Sequence, residues 1–176
     1  ILFGNYSNVI FTTNDKVTLK SNVSGTARVG DVTNNGSSTG NDIKGKLVIE
    51  RFIPARRAWR LLAAPFKPSI APFINSWQEK SSVSSAIPDG NVPAGLGTHI
   101  TYGAGTGGYD KGVNTNSSIY YLTTTSNGWN GIPPNTNNTR LTAYPGLMVF
   151  IRGDRKTVLA SGINAIPSPT VLRATG

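Results

Sequence analysis

The feature that most constrains this chain is the stretch from residue 46 to residue 66, KLVIERFIPARRAWRLLAAPF, which is apolar and also rich in arginine. Leu47–Ile53 carries apolar side chains at odd and even positions, which is typical of a strand covered on both faces. Pro54 removes a backbone donor and ends this strand, and a second strand is predicted over Ala58–Ala64. The stretch therefore predicts two consecutive strands at the centre of a β structure.

Four arginines surround a single acid in this stretch. The acid is Glu50, and the arginines are Arg51, Arg56, Arg57 and Arg60. A guanidinium near a core needs a carboxylate or carbonyl oxygens, because an unpaired buried charge is costly. We therefore predict a structural ion-pair cluster in which Glu50 and one or two arginines tie two strands together. An anion site is the alternative for the same residues.

Short alternating segments predict further strands, and no segment has a sustained helical period. These strands are Val9–Thr13, Lys16–Ser21, Thr26–Val32, His99–Tyr102, Ser118–Thr123, Gly128–Trp129, Leu147–Arg152, Thr157–Ala160 and Thr170–Ala174. Asn14-Asp15 predicts a hairpin between the first two, and a helical turn is expected only within 73–79. The pattern predicts an all-β fold, an antiparallel β-sandwich or jelly-roll-like arrangement with long Gly/Asn/Pro loops; a barrel is the alternative.

Length and turn content suit a single domain. The chain has 176 residues, of which 20 are Gly and 11 are Pro. We expect residues 1–20 to form an N-terminal strand extension and residues 21–176 to form the sandwich domain. No apolar run has transmembrane length. Because the chain opens with Ile1 and shows no signal peptide, we expect a mature or excised piece of a longer protein.

Charge and cysteine content limit the possible chemistry. The chain contains 17 Lys and Arg residues and 8 Asp and Glu residues, so its net charge is +9 at pH 7. This excess admits nucleic acid, anionic glycan, membrane phosphate or an acidic subunit as partners. The charge is dispersed, with no basic run longer than Arg56-Arg57, and this disfavours nucleic-acid binding. A chain with 0 Cys has no disulfide, thiolate metal site or cysteine nucleophile.

An ordered set of segments resembles a known group of proteins. The set consists of VIERFIPARRAWRLLAAP, SWQE at 76–79, GLGTHIT at 95–101, GYD at 108–110, PGLMVFIRGDR at 145–155 and the terminal LRATG. It resembles a β-rich module that recurs in large surface and adhesin-like proteins of bacteria that use type IX secretion. The resemblance implies a secreted, non-enzymatic module within a longer polypeptide and supplies no ligand. Residues 1–16 and 156–170 depart from it.

Two loops have the spacing of known binding motifs. Gly103–Gly108 has the spacing of a dinucleotide fingerprint, but no helical pattern follows, so a loop is predicted. Five residues fall in the register of a calcium loop, namely Asp31, Thr33, Asn35, Gly36 and Asp42. Threonine at the third position and the short aspartate at the twelfth favour a solvated turn. Calcium binding by the Asp31–Asp42 loop stays the alternative.

His99 is the only histidine, and a Ser-His-Asp triad would have to combine it with an acid such as Asp110 or Asp154. No serine lies in a recognisable nucleophile elbow, so we predict no catalytic residue and no enzymatic activity. We expect His99 to be hydrogen-bonded in or near the core. Asp154 also completes an Arg-Gly-Asp tripeptide. A turn stabilised by aspartate hydrogen bonds is predicted there, whereas receptor adhesion would need an exposed loop.

Aromatic residues are the best candidates for contact with a glycan or a neighbouring subunit. Trp129 lies between Asn-Gly pairs, which predicts an exposed loop position, and Tyr109 is the second candidate. Trp59 lies in the densest apolar stretch and is predicted to belong to the core.

These observations predict a non-enzymatic extracellular structural or adhesive module of the cell surface. In this interpretation, residues 1–20 or 157–176 pair as a strand with a neighbouring copy, which gives a head-to-tail filament or array. The alternative is a monomeric carbohydrate-binding adhesin domain. The expected partners are further copies of the chain and surface glycans, and no cofactor is expected.

Overall fold

The computed structural model describes residues 1–4, 6–33, 36–65, 73–83, 88–113, 116–123, 128–133, 146–159 and 166–176. Within these ranges the chain is all β, as predicted, with one short 3-10 helix at Phe73–Asn75. The strands are β1 Ile10–Thr12, β2 Val17–Leu19, β3 Ser21–Asn22, β4 Gly25–Thr26, β5 Asp42–Lys44, β6 Leu47–Ile53, β7 Ala58–Leu62, β8 Ile119–Thr123, β9 Gly128–Gly131, β10 Leu147–Ile151 and β11 Thr170–Thr175.

The larger strands form two sheets. The four-stranded sheet has the order β7-β10-β8-β9 and is antiparallel throughout. The three-stranded sheet has the order β11-β6-β2, with β11 antiparallel and β2 parallel to β6. The parallel pairs β2-β6 and β1-β5 depart from a purely antiparallel arrangement. The finer arrangement as a sandwich or jelly roll stays a prediction.

The predicted hairpin at the N-terminus is wrong. β1 runs parallel to β5 and β2 runs parallel to β6, so residues 10–19 accompany residues 42–49 in the same direction. Asn14 and Asp15 have positive φ and do turn the chain, but the partner segment bends at the same level. There the Asp15 carboxylate accepts a hydrogen bond of 2.7 Å from the Lys46 N–H. Both strands predicted within residues 1–20 are therefore paired inside the chain.

The central stretch forms the two predicted strands, and Pro54 separates them. The chain changes sheets at this proline, because β6 is the middle strand of the three-stranded sheet and β7 is an edge strand of the four-stranded one. Trp59 lies on the side of this sheet that faces away from the core, and it is 45% exposed. The prediction that Trp59 belongs to the core is therefore wrong.

Four of the other predicted strands are confirmed, namely β8, β9, β10 and the last strand of the chain, β11. Thr26–Val32 is strand only at its first residue. His99–Tyr102 is not a strand, because the amides of Ile100 and Thr101 bind the side chains of Asp110 and Ser118. Residues 157–159 continue a turn, and residue 160 lies outside the described residues. None of the helices within the described ranges has the length and apolar character needed to cross a membrane.

One apolar cluster joins the two sheets. The four-stranded sheet contributes Leu147, Val149 and Ile151 from β10, and the three-stranded sheet contributes Leu172 and Ala174 from β11. Irregular segments complete the cluster with Phe73, Trp77, Ile100, Tyr109 and Ile132. The inner side of the four-stranded sheet is thus covered, and strand alternation directs every second side chain to the opposite side.

Candidate binding face

The opposite side of the four-stranded sheet carries a continuous set of aromatic and apolar side chains. The strand register places Phe150 beside Trp59, Met148 between Leu61 and Tyr120, and Leu122 beside Trp129. We call this surface the aromatic face and define it by Trp59, Leu61, Tyr120, Leu122, Trp129, Met148 and Phe150. Leu61 is 76% exposed, Leu122 is 56% exposed and Trp129 is 42% exposed. Large apolar groups gathered on the solvent side of a sheet are typical of an interaction site.

Ring contacts order part of this face. The ring of Trp59 lies 5.0 Å from that of Phe150 and 5.5 Å from that of Tyr120, measured between centroids. These tilted and edge-on arrangements are the ones that aromatic pairs prefer. The three rings come from β7, β10 and β8, so the sheet itself fixes their positions. The strand register therefore fixes the relative positions of the three rings.

Two arginines lie at one end of the aromatic face. Arg57 precedes β7 and Arg152 follows β10, and their guanidinium carbons lie 5.3 and 4.8 Å from the ring centroid of Phe150. Burial and the positive charge of Arg57 lower the pKa of Arg152 to about 10. Nη1 of Arg152 is buried and has no hydrogen-bond partner among the described residues. This end of the face therefore brings together two cations.

The predicted ion-pair cluster around Glu50 is not formed with Arg51, Arg56 or Arg60. Glu50 lies on β6, whereas Arg60 lies on β7 in the other sheet, because the chain changes sheets at Pro54. The Glu50 carboxylate instead accepts a hydrogen bond of 3.2 Å from the Ser21 N–H. Arg51 and Arg56 are exposed. Nε and Nη2 of Arg60 are buried without a hydrogen-bond partner in the part of the chain that the structure describes.

The two predicted contact residues have different positions. Trp129 is exposed, as predicted, although it lies on the edge strand β9 and not in a loop. Tyr109 is only 3% exposed, and its hydroxyl donates a hydrogen bond of 2.9 Å to the Ile132 carbonyl. This corrects the expectation that Tyr109 contacts a ligand or a neighbouring subunit, because its ring belongs to the core and packs beside Tyr102.

A buried polar network, which no local sequence pattern indicates, lies away from the aromatic face. The Arg155 guanidinium donates two hydrogen bonds of 2.8 Å to the carboxylate of Asp110 and one of 2.8 Å to that of Asp89. His99 accompanies it, with Nε2 2.9 Å from the Arg155 carbonyl and Nδ1 3.6 Å from Asp110. His99 is thus hydrogen-bonded in the core, as predicted. These side chains are enclosed, so a substrate has no direct access to them.

The charges of this network shift its pKa values. Burial alone would raise the pKa of the Asp110 carboxyl, but contacts with His99 and Arg155 outweigh it and lower that pKa below its usual value. The pKa of Asp89 is also lowered, because hydrogen bonds from Ser81, Asn91 and Arg155 outweigh its burial. Both aspartates therefore stay ionised around the buried guanidinium.

The Arg-Gly-Asp tripeptide is a turn, as predicted, and its acid is buried. One carboxylate oxygen of Asp154 accepts a hydrogen bond of 2.6 Å from the Gly95 N–H, and the other accepts 2.8 Å from the Ser168 hydroxyl and 3.0 Å from the Lys156 N–H. Asp154 is 4% exposed, which is incompatible with receptor recognition through this carboxylate in the folded chain.

The described residues of the two motif-like loops show no arrangement suited to a ligand. Gly103–Gly108 consists of two turns with no helix after it, as predicted. In the calcium register, the Asp31 carboxylate accepts hydrogen bonds of 2.8 and 2.6 Å from Thr33, and Asn35 lies outside the described residues. No group of three or more His, Cys, Asp or Glu side chains that could hold a metal occurs among the residues described.

Among the residues described, the aromatic face gathers four exposed large apolar side chains, Trp59, Leu61, Leu122 and Trp129, on one side of one sheet. Comparison of the chain with models of known protein families, with curated proteins and with solved structures finds no match.

Proposed function

We propose that this chain is a non-enzymatic adhesive module of the extracellular cell surface and that its aromatic face binds carbohydrate. The observation that carries the proposal is the exposure of Trp59 and Trp129 on the same side of one sheet. Aromatic rings pack against the apolar faces of sugars, and their polar edges remain hydrated. The resemblance to modules of type IX-secreted surface proteins supports the extracellular location.

The dimensions of the face favour an extended ligand. Trp59 lies on β7 and Trp129 on β9, three strand positions apart in the sheet. Trp59 is paired with Phe150, whereas Trp129 lies opposite Leu122 at the level of residue 146, four residues away along the strands. With about 4.8 Å between neighbouring strands and about 3.4 Å per residue, the two side chains lie roughly 20 Å apart along a diagonal of the sheet. This distance is longer than a single sugar ring, so an oligosaccharide or polysaccharide lying diagonally across the strands fits better than a monosaccharide. The rings between them supply a continuous apolar surface.

Affinity electrophoresis in gels containing soluble polysaccharides tests this proposal. The wild-type chain is expected to be retarded by at least one polysaccharide, and Trp59→Ala and Trp129→Ala are each expected to reduce the retardation. Tyr6→Ala is the matched control, because Tyr6 is a 75% exposed aromatic residue outside the face. Equal retardation of the three variants and the wild type would remove the basis of the proposal.

A second candidate function is head-to-tail assembly through strand pairing. One edge of β7 has no strand partner within the described ranges, and beside β7 lies an apolar groove of about 570 Å³. The groove is lined by side chains of both sheets, among them Leu19, Leu47, Ile49, Leu62, Leu172 and Ala174. A strand from a neighbouring copy could hydrogen-bond to β7 and bury its side chains in this groove.

The N-terminal segment is the candidate donor for such an assembly, because Leu2 and Tyr6 are strongly exposed and precede the paired strands. Deleting residues 1–8 removes this segment and retains all residues of β1 and β2. Negative-stain electron microscopy is expected to show filaments of the full chain and single particles of the shortened chain. Filaments formed by the shortened chain would exclude the N-terminal segment as the donor, and dispersed particles of the full chain would exclude assembly.

A further inference from the structure

One edge of β7 offers unpaired backbone groups. The Phe150 N–H donates a hydrogen bond of 2.8 Å to the Ser118 carbonyl, so the even-numbered residues of β10 face β8 and the odd-numbered residues face β7. The residues of β7 paired with the odd-numbered ones are Ala58, Arg60 and Leu62. The backbone groups of Trp59 and Leu61 therefore point to the other edge, where β7 has no strand partner within the described ranges.

Arg60 lies on the inner side of this edge without a counter-charge. Its side chain is on the same side of the sheet as that of Val149, its cross-strand neighbour, which belongs to the core. Nε and Nη2 of Arg60 are buried without a hydrogen-bond partner, and Arg60 belongs to no ion pair between described residues. Because a buried donor without a partner is unfavourable, a carboxylate placed beside Arg60 would be stabilising.

The strand register determines where such a carboxylate would come from. A further antiparallel strand at the β7 edge would exchange backbone hydrogen bonds with Trp59 and Leu61, and its residue opposite Arg60 would fall between these two pairs. Side chains approach most closely at such non-hydrogen-bonded positions, so an acid there would contact the guanidinium. A strand without an acid would bury the charge more deeply, and an inward-pointing charge therefore makes the edge selective.

Apolar surface flanks Arg60 on both sides of the sheet. Leu61 is 76% exposed on the outer side, and Leu62 lines the groove of about 570 Å³ on the inner side. The groove is also lined by the exposed residues Arg28 and Arg51, and Glu50 is the only acid among its described lining residues. The surface therefore suits a strand that is apolar on both sides and negatively charged opposite Arg60.

We propose that the β7 edge binds an extended segment of another protein, with a glutamate or aspartate opposite Arg60 and apolar side chains at the neighbouring positions. This inference goes beyond carbohydrate binding and shares only the β7 edge with the second candidate function. Its donor is different, because residues 1–8 contain no acid and a second copy inserted through them would leave Arg60 unpaired. Main-chain hydrogen bonds would supply affinity, and the acid would supply specificity.

Isothermal titration calorimetry of the full chain with three end-blocked hexapeptides tests the inference. Thr-Val-Val-Glu-Tyr-Thr has the required pattern, Thr-Val-Val-Gln-Tyr-Thr lacks the charge, and Thr-Val-Glu-Val-Tyr-Thr moves the acid to the other side of the strand. We expect the first peptide to bind about tenfold more tightly than the other two, because only it forms the charge-assisted contact. Arg60→Gln should remove this difference. Arg56→Gln, the same change at an exposed arginine outside β7, should preserve it.

The comparison of the peptides on the wild-type chain needs no variant, and equal affinity for the first two would overturn the inference. Equal affinity for the first and third would also overturn it, because the acid would then act without the predicted register. If none of the peptides binds the wild type and all bind Arg60→Gln, Arg60 only keeps strands away from this edge and the inference is wrong. Retardation by polysaccharides tests carbohydrate binding independently of these outcomes.

Discussion

The guanidinium of Arg155 and the carboxylate of Asp110 form two parallel hydrogen bonds of 2.8 Å with no exposed surface on either residue. The pair joins segments that are 45 residues apart, and Asp89 extends it to a third segment. Arg155 also donates a hydrogen bond to the Thr98 carbonyl. Irregular segments next to the two sheets are therefore fixed by charge and hydrogen bonding.

Removing one partner of this pair is expected to be strongly destabilising. Asp110→Asn leaves the Arg155 charge buried with a weaker acceptor, and breaking a buried pair in this way costs about 3–5 kcal/mol. The free energy of unfolding measured by urea titration should fall by this amount. Lys46→Met is the control, because it removes only the exposed ion pair with Asp15 and should cost less than about 1 kcal/mol. Equal effects of the two substitutions would contradict the structural role of the network.

The same network predicts a loss of stability in acid. The pKa values of Asp110 and Asp89 lie below the usual 3.8 in the folded chain, so the unfolded chain binds more protons as the pH falls. Their contribution is complete above the unfolded value and is lost as the pH falls through 3.8 towards the folded values. Thermal denaturation between pH 2.5 and 6 should show a falling Tm below about pH 4. Asp110→Asn should flatten this dependence, and a dependence unchanged by it would exclude Asp110 as a source.

Gly153 is expected to tolerate no side chain. Its φ is 148°, and a Cβ there would lie 2.3 Å from the Thr157 hydroxyl oxygen and 2.6 Å from that of Ser168. We expect Gly153→Ala to lower the free energy of unfolding by about 1–3 kcal/mol, since the turn that buries Asp154 must distort. Gly25→Ala is the control, because no atom lies within 4 Å of the added Cβ, and its effect should stay within about 0.5 kcal/mol. Chemical denaturation of both variants makes the comparison.

Trp77 and Trp59 should differ in how much each contributes to the free energy of unfolding. Trp77 is 4% exposed and packs on Phe73 in the core, so Trp77→Ala is expected to cost about 3–5 kcal/mol. Trp59→Ala removes a 45% exposed ring and its contacts with neighbouring rings, and about 1 kcal/mol is expected. Urea unfolding monitored by far-ultraviolet circular dichroism distinguishes them. A loss for Trp59→Ala as large as that for Trp77→Ala would show that the aromatic face belongs to the core.

Local patterns predicted most of the strands but not their partners. Leu47–Ile53 and Leu147–Ile151 are predictable as strands because alternation and apolar content are properties of neighbouring residues. The parallel course of residues 10–19 beside residues 42–49 depends on a matched bend in a distant segment, which no local pattern encodes. The sequence predicts Trp59 to belong to the core because its neighbours have the composition of a buried strand, whereas its exposure depends on which side of the sheet its side chain occupies.

The candidate site was predicted only in part. The flanking Asn-Gly pairs predict the exposure of Trp129, and Arg57 belongs to the arginine cluster that the sequence shows. The sequence places Arg152 at the end of a predicted strand, and only the β7-β10 register brings it beside Arg57. Tyrosine is common at interfaces, which made Tyr109 a candidate contact residue. The sequence indicates neither the burial of Tyr109 nor its hydrogen bond to Ile132.

The position of β6 between β2 and β11 has a mechanical consequence. Val17 at the start of β2 and Gly176 at the end of the chain both lie beside Leu47, on opposite sides of it. A force that pulls Val17 and Gly176 apart acts across the strands and breaks the hydrogen bonds near Leu47 first, one after another. The four-stranded sheet contains neither strand, so the aromatic face carries no tension until the three-stranded sheet has opened. A ligand on this face would stay bound while the chain begins to stretch.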